Sequence, residues 1–180
     1  QIGDSGPQTQ RLEPTAVPGI DDAVAISAGN RHTCVVRSDG SVWCWGGHEY
    51  DEYIPNYYYP YSAVAPTQVA GVDNAVRVES GPTFDCALLA STEVSCWGYN
   101  SDGLGSGFLR SGPELVADVS GSGILTGVTD LSIGEGAGYH LHACAVASGT
   151  LACWGSNSSG QLGDGSTTSS STPVAVAGLS

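Results

Sequence analysis

Hydrophobic and polar residues alternate along much of this 180-residue chain with the period of two that is typical of β-strands. The clearest stretch runs from His32 to Gly46, where two strand-like segments flank the turn Ser38-Asp39-Gly40. A three-residue turn that ends in glycine fits a β-hairpin, because a type I turn is followed there by a left-handed residue. The predicted cross-strand pairs are Arg37 with Ser41, Val36 with Val42, Val35 with Trp43, and Cys34 with Cys44.

The same hairpin pattern occurs twice more, over residues 86–98 and 144–155. The third copy has a shorter turn, Ser148-Gly149, and still sets two cysteines opposite each other. These cysteines form a non-hydrogen-bonded pair, whose Cα atoms lie ~4.5 Å apart, at the short end of the disulfide range. The register therefore predicts three disulfides, Cys34–Cys44, Cys86–Cys96 and Cys144–Cys153. The alternative is three pairs of reduced, packed cysteines; a zinc site is disfavoured because the short Cys-x-x-Cys spacing is absent.

Each hairpin lies within a longer repeat, in which runs that contain proline alternate with apolar runs that end in glycine. Repeats of this length with four strands each are typical of β-propeller blades. We therefore expect an all-β fold of four-stranded antiparallel blades, with three complete repeats in an arc or in part of a larger ring. The predicted units are residues 1–20 (the end of a preceding repeat), 21–72 (repeat 1), 73–127 (repeat 2) and 128–180 (repeat 3).

The order of these motifs resembles the regulator of chromosome condensation repeat family. The segment 160–165, Gly-Gln-Leu-Gly-Asp-Gly, is a near-consensus copy of the loop motif of that family, and residues 1–4 are a truncated copy. The chain departs from the family pattern after Trp45, where the loop motif is missing, and at Phe84, which stands where the first repeat has His32. Members of this family usually close a ring of seven blades. The resemblance therefore implies contacts with further blades, from a longer chain or from neighbouring copies.

The net charge of the chain limits the classes of partner that it can bind. Asp and Glu number 18 against 5 for Lys and Arg, and the formal net charge is −13, so a nucleic acid backbone would be repelled. The chain has no apolar run long enough to span a membrane. Disulfides persist in oxidising compartments, so we expect an extracellular or cell-surface location.

A tyrosine-rich segment, residues 48–61, stands where the first loop motif is expected. Tyrosines on a loop offer rigid, amphipathic contact area at low entropic cost, as in antibody paratopes. The segment is therefore predicted to contact a protein or carbohydrate partner; the alternative is that its rings pack on their own blade or on a neighbouring copy. The predicted binding residues are Tyr50, Tyr53, Tyr57, Tyr58, Tyr59 and Tyr61.

Other candidate chemistry is sparse. His140 and His142 alternate along one strand and so share a face, but no third metal ligand is evident. The ring of His32 is expected to hydrogen-bond the backbone between strands, and Asp21-Asp22 and Asp39 are expected to be turn residues. The Asn157-Ser158-Ser159 sequon is a glycosylation acceptor only if the source glycosylates secreted proteins.

No Gly-x-Ser-x-Gly elbow, nucleophile–base set or phosphate-binding loop is present, so no catalytic residue, metal or cofactor is predicted. Two classes of function remain. The first is a secreted, non-catalytic propeller module that binds proteins or glycans, or that serves as a structural subunit on the cell surface. The second is an enzyme (a hydrolase or lyase) or an enzyme inhibitor, with its site on a propeller face.

Overall fold

The computed structural model describes residue 3 and residues 12–47, 63–98, 110–134 and 141–179. Within these residues the strands form three antiparallel sheets of four, each in chain order, which we call blades 1, 2 and 3. The strands of blade 1 are β1 (Ala23–Ala28), β2 (His32–Arg37), β3 (Val42–Gly46) and β4 (Ala63–Gln68). Those of blade 2 are β5 (Ala75–Ser80), β6 (Phe84–Leu89), β7 (Val94–Gly98) and β8 (Arg110–Leu115). Those of blade 3 are β9 (Val128–Gly134), β10 (His142–Ala147), β11 (Thr150–Gly155) and β12 (Ser170–Ala175).

These sheets confirm the predicted all-β fold of propeller blades. In the described part of the chain, no helix has the length and apolar character needed to cross a membrane.

The central hairpin of each blade has the predicted register, with one cysteine directly opposite the other. The turns have the backbone conformations that their sequences indicate: Gly40 has a φ of 81°, and Ser148 and Gly149 have φ values of 50° and 81°. All three expected disulfides are present, with Cα–Cα distances of 4.2, 4.1 and 4.1 Å. Turn length and the two-residue period of a strand therefore determine the disulfide pairing.

Each sheet buries its apolar side chains against the next sheet. Residues that lie opposite each other in neighbouring strands project to the same face. In blade 2, Val78 and Ala87 lie in the core shared with blade 1, whereas Cys86 and Cys96 lie in the core shared with blade 3. Blade 2 thus contributes to both apolar clusters, and both of its faces are covered.

The first strands of the blades differ in how well they are covered. Ile26, Val78 and Leu131 occupy the same register position, because each lies opposite the residue just after the first cysteine of its hairpin. Val78 and Leu131 are each 1% exposed, since the preceding blade packs on them. Ile26 is 70% exposed. In the described residues, the first strand of blade 1 is therefore exposed at a position that the other two blades bury, although Val35 and Trp45 on the same face are covered.

This difference predicts unequal effects of one charged substitution at equivalent positions. V78D places an unpaired carboxylate in the core between blades 1 and 2, and we expect it to lower the free energy of unfolding by more than about 4 kcal/mol. I26D changes an exposed position and should stay within about 0.5 kcal/mol of the wild type. Thermal and denaturant unfolding of both variants measure this. A loss of stability in I26D comparable with that in V78D would show that Ile26 is covered in solution.

Candidate functional site

A histidine and an aspartate meet at the junction of blades 1 and 2. His32 begins β2, Asp85 lies in β6, and the Nε2 atom of the ring is 2.7 Å from Oδ1 of the carboxylate. Both side chains are fully buried, with 0% exposure. For this ring nitrogen the partner is a side chain of the next blade, so the expectation of a backbone partner was wrong.

The local sequence positions both groups. His32 lies opposite Gly46, and its ring packs on Gly29 beyond β1, where any Cβ atom would overlap it. Asp85 lies opposite Trp97, which belongs to the core between blades 1 and 2, so its carboxylate projects towards blade 1. The hydrogen bond thus connects the two sheets, as does the bond from the amide of Ser80 in β5 to the hydroxyl of Ser27 in β1 at 2.9 Å.

The electrostatics of the pair favour a charged histidine. Burial alone lowers the pKa of His32, but the negative charge of Asp85 and its hydrogen bond outweigh burial, and the pKa of His32 lies above its ordinary value. A buried carboxylate and a buried imidazolium each need the other, because either charge alone would be costly in the core. The pair is sealed from solvent, so its chemistry is that of a structural contact and not of a substrate site.

The junction of blades 2 and 3 fills the equivalent positions with apolar residues. Phe84 lies opposite Gly98 as His32 lies opposite Gly46, and Ala143 lies opposite Trp154 as Asp85 lies opposite Trp97. Phe84 and Ala143 are both 0% exposed and share one apolar cluster. The two junctions of this chain therefore use a polar pair and an apolar pair at the same place in the fold.

Cysteine sulfur lies close to the polar pair. One potential ligand atom from each of His32, Cys34 and Asp85 lies within 4.8 Å of the others, and all three residues are buried. Cys34 is bonded to Cys44, so its sulfur is not a thiolate in this state. No other group of three potential metal ligands occurs in the described ranges.

The tyrosine-rich segment begins just after β3, at the end of blade 1 where His32 begins β2. The amide of Gly47 donates to the carbonyl of Arg31, 3.0 Å away, and residues 48–62 then lead to β4. His140 lies outside the described residues. So do all the predicted binding residues, which are Tyr50, Tyr53, Tyr57, Tyr58, Tyr59 and Tyr61. The binding role of these tyrosines stays a prediction.

The corresponding loop of blade 3 is held by Asn157. Its Nδ2 donates to the carbonyls of Ser166 and Thr168, 3.2 and 3.0 Å away, and its Oδ1 accepts a hydrogen bond from the amide of Leu162 at 2.9 Å. Asn157 and Leu162 are both 0% exposed. The loop motif thus folds onto its own blade, and the sequon asparagine is closed to glycosylation in the folded chain.

Asp39 is a turn residue, as expected, whereas Asp21 and Asp22 precede β1 outside a turn. Asp22 accepts a hydrogen bond from Arg37, Nε to Oδ1 at 2.6 Å, and this bond holds the pKa of Asp22 below its usual range. Asp39 accepts from the amide of Ser41 within the turn. The ring of His142 packs against Gly134, and burial lowers its pKa.

Asp85 is the functional-site residue that the sequence analysis missed. It is the one charged residue of β6, Phe-Asp-Cys-Ala-Leu-Leu, and the whole strand is buried. A charged residue inside an otherwise apolar strand requires a buried partner. That signal was available, but the partner comes from the preceding repeat, so the pairing needed the packing of the two blades.

Sheets of this kind define an all-β protein made of propeller blades. Two segments, residues 23–51 and 148–180, match the family model for the regulator of chromosome condensation (RCC1) repeat. These two segments are thus RCC1-type repeats, which confirms the resemblance seen in the motifs of the chain.

Relatives of known sequence are much longer than this chain. Human E3 ubiquitin-protein ligase HERC2 is 29% identical over 189 residues, which span 99% of this chain and 4% of that protein. Mouse regulator of chromosome condensation is 27% identical over 105 residues, which span 58% of this chain and 25% of that protein.

Two solved structures share the fold. Human WBSCR16 superposes with a TM-score of 0.65 at 23% identity, over 86% of this chain and 39% of that one. A chain in the crystal structure of Kap60 bound to yeast RCC1 (Prp20) gives 0.61 at 18% identity, over 84% of this chain and 36% of that one. At these identities the likeness shows the fold alone.

The two junctions predict a compensating pair of substitutions. D85A leaves His32 buried without its carboxylate, and we expect the free energy of unfolding to fall by about 3–5 kcal/mol. H32F/D85A copies the Phe84–Ala143 junction and should regain most of that loss. Denaturant unfolding of the wild type, both single variants and the double variant gives the coupling energy. Additive losses would show that the two side chains do not act as a pair.

The pair also predicts a pH dependence. A histidine whose pKa is raised on folding stabilises the fold fully below its unfolded value of about 6.5, and the contribution is lost as pH rises through the folded pKa. The difference in stability between the wild type and H32F/D85A should therefore shrink as the pH rises from about 6 to 9. A difference that stays constant, or grows with pH, would contradict the assigned pair.

Proposed function

We propose that this chain is a non-catalytic binding module of a secreted or cell-surface protein, with the tyrosine-rich segment 48–61 as its contact site for a protein or glycan. Propeller repeats of this type are typically protein-interaction modules, and the neighbour structure of yeast RCC1 holds it bound to the protein Kap60. Three disulfides support an oxidising location.

The contrast between two loops carries the proposal. In blade 3 the loop is tied down by the buried amide of Asn157 and by the buried Leu162. In blade 1 the position that corresponds to Asn157, two residues after the glycine that ends the strand, is His48, and the Leu-Gly-Asp sequence is replaced by tyrosines and acidic residues. The sequence of this segment therefore lacks the asparagine and the leucine that hold the blade 3 loop, which favours a contact role for its tyrosines.

The buried polar groups support a non-catalytic role. His32 and Asp85 are the residue types of an acid–base pair, but both side chains are fully buried and each holds the other. A substrate would have to separate two blades to reach them. The pair therefore serves the fold.

The exposed face of blade 1 supports contacts with further blades. Ile26 is 70% exposed, although its equivalents in blades 2 and 3 are covered. An exposed apolar position of this kind would be covered by another blade, from the same longer protein or from a neighbouring copy. Sedimentation of the 180-residue chain with and without I26D distinguishes the second source, since only association between copies would be weakened by the charge.

Replacing Tyr57, Tyr58 and Tyr59 with Ser tests the binding proposal. We expect the variant to lose at least about tenfold in affinity for a partner isolated with the wild-type chain, because aromatic anchors dominate interface energies. The matched control replaces Ser158, Ser159 and Thr167 in the loop of blade 3 with Ala and should bind normally. Unchanged binding by the tyrosine variant, or loss of its fold, would contradict the contact role.

A further inference from the structure

The junction of blades 1 and 2 combines a disulfide with a buried histidine and a buried carboxylate. Potential ligand atoms of His32, Cys34 and Asp85 lie within 4.8 Å of one another. Cys44 lies directly across the strand from Cys34, with the two Cα atoms 4.2 Å apart. Three side chains with metal-binding atoms therefore lie together at one buried point between two sheets, and Cys44 is bonded to one of them.

We propose that this junction becomes a zinc site when the Cys34–Cys44 disulfide is reduced. The ligands would be the two thiolates, one ring nitrogen of His32 and one carboxylate oxygen of Asp85. Zinc in proteins takes four such ligands in a tetrahedron, with Zn–S distances of about 2.3 Å and Zn–N or Zn–O distances of about 2.0–2.2 Å. These lengths set the donor atoms about 3.3–3.8 Å apart. The two sulfurs, bonded at 2.13 Å in the disulfide, would have to separate, and the donor spacings of up to 4.8 Å between the cysteine sulfur and the polar pair would have to shorten.

The chemistry balances with a dithiol as the reductant. The dithiol closes to its own disulfide and gives up two electrons and two protons, and the bond between Cys34 and Cys44 opens to two thiols. Zinc then replaces the two thiol protons and the proton that His32 carries beside Asp85, all of which are released to solvent, and binds the neutral imidazole of His32. The negative charge of Asp85 and the two thiolates offsets the charge of the ion in the core.

The junction of blades 2 and 3 serves as a comparison for the proposed zinc site at the junction of blades 1 and 2. The second disulfide, Cys86–Cys96, has the same strand register, but Phe84 and Ala143 stand where the first junction has the histidine and the aspartate. Reduction of that disulfide yields two thiols with neither a nitrogen nor an oxygen ligand from those positions. Selective zinc binding at the first junction therefore depends on the polar pair and not on the cysteines alone.

The test is metal uptake by the full chain before and after reduction. The oxidised protein, the protein reduced with a dithiol and then desalted without oxygen, and reduced H32F/D85A are each titrated with Co²⁺ and with Zn²⁺. We expect the reduced wild type to show thiolate-to-cobalt charge-transfer absorption and to carry one zinc ion per chain in native mass spectrometry. The oxidised protein and the reduced double variant should bind neither metal.

A gain-of-site variant separates the proposal from non-specific binding by free thiols. Reduced F84H/A143D rebuilds the polar pair beside Cys86 and should take up a second zinc ion. The proposal is overturned if the reduced wild type takes up no metal, if reduced H32F/D85A takes up as much as the wild type, or if the far-ultraviolet spectrum shows that the reduced chain unfolds and zinc does not restore it.

Discussion

Each blade of this chain depends on a neighbour, because both faces of a four-stranded sheet carry apolar side chains that water disfavours. Blade 2 meets this requirement on both sides: Val78 packs towards blade 1 and Phe84 towards blade 3. Blade 1 meets it on one described side, and Ile26 on the other side is exposed. Stability in such an array comes from nearest-neighbour interfaces, so the middle blade should be the most firmly held.

The hairpin register decides what each interface contains. Because side chains alternate between faces, His32, Cys34 and Val36 all face the next blade, and the disulfides of blades 1 and 2 lie within the two interfaces. One junction then uses a polar hydrogen-bonded pair and the other an apolar pair at the same positions. The fold accepts both solutions, but only the polar one brings acid–base and metal-binding groups into the core.

Local features of the fold could be predicted from the sequence, whereas contacts between repeats could not. Gly40 and the Ser148-Gly149 turn set the hairpins, and the period of two along each strand then brings Cys34 opposite Cys44. The partner of His32 lies 53 residues away in another sheet, beside the Phe84 that the repeat matches with His32, and the repeat alone does not show that the two side chains meet. The tyrosine segment was recognised by composition alone, which predicts a contact surface but not its partner.

Hydrogen–deuterium exchange measured strand by strand tests most directly the claim that blade-on-blade packing holds this chain together. Local stability follows burial and hydrogen bonding, so each strand reports how firmly its own blade is held. The account predicts that amides of β6 and β7, whose residues are all buried, exchange most slowly, and that β1 of blade 1 exchanges much faster than its equivalent β5. Equal protection of β1 and β5, or uniform protection across the three blades, would contradict it.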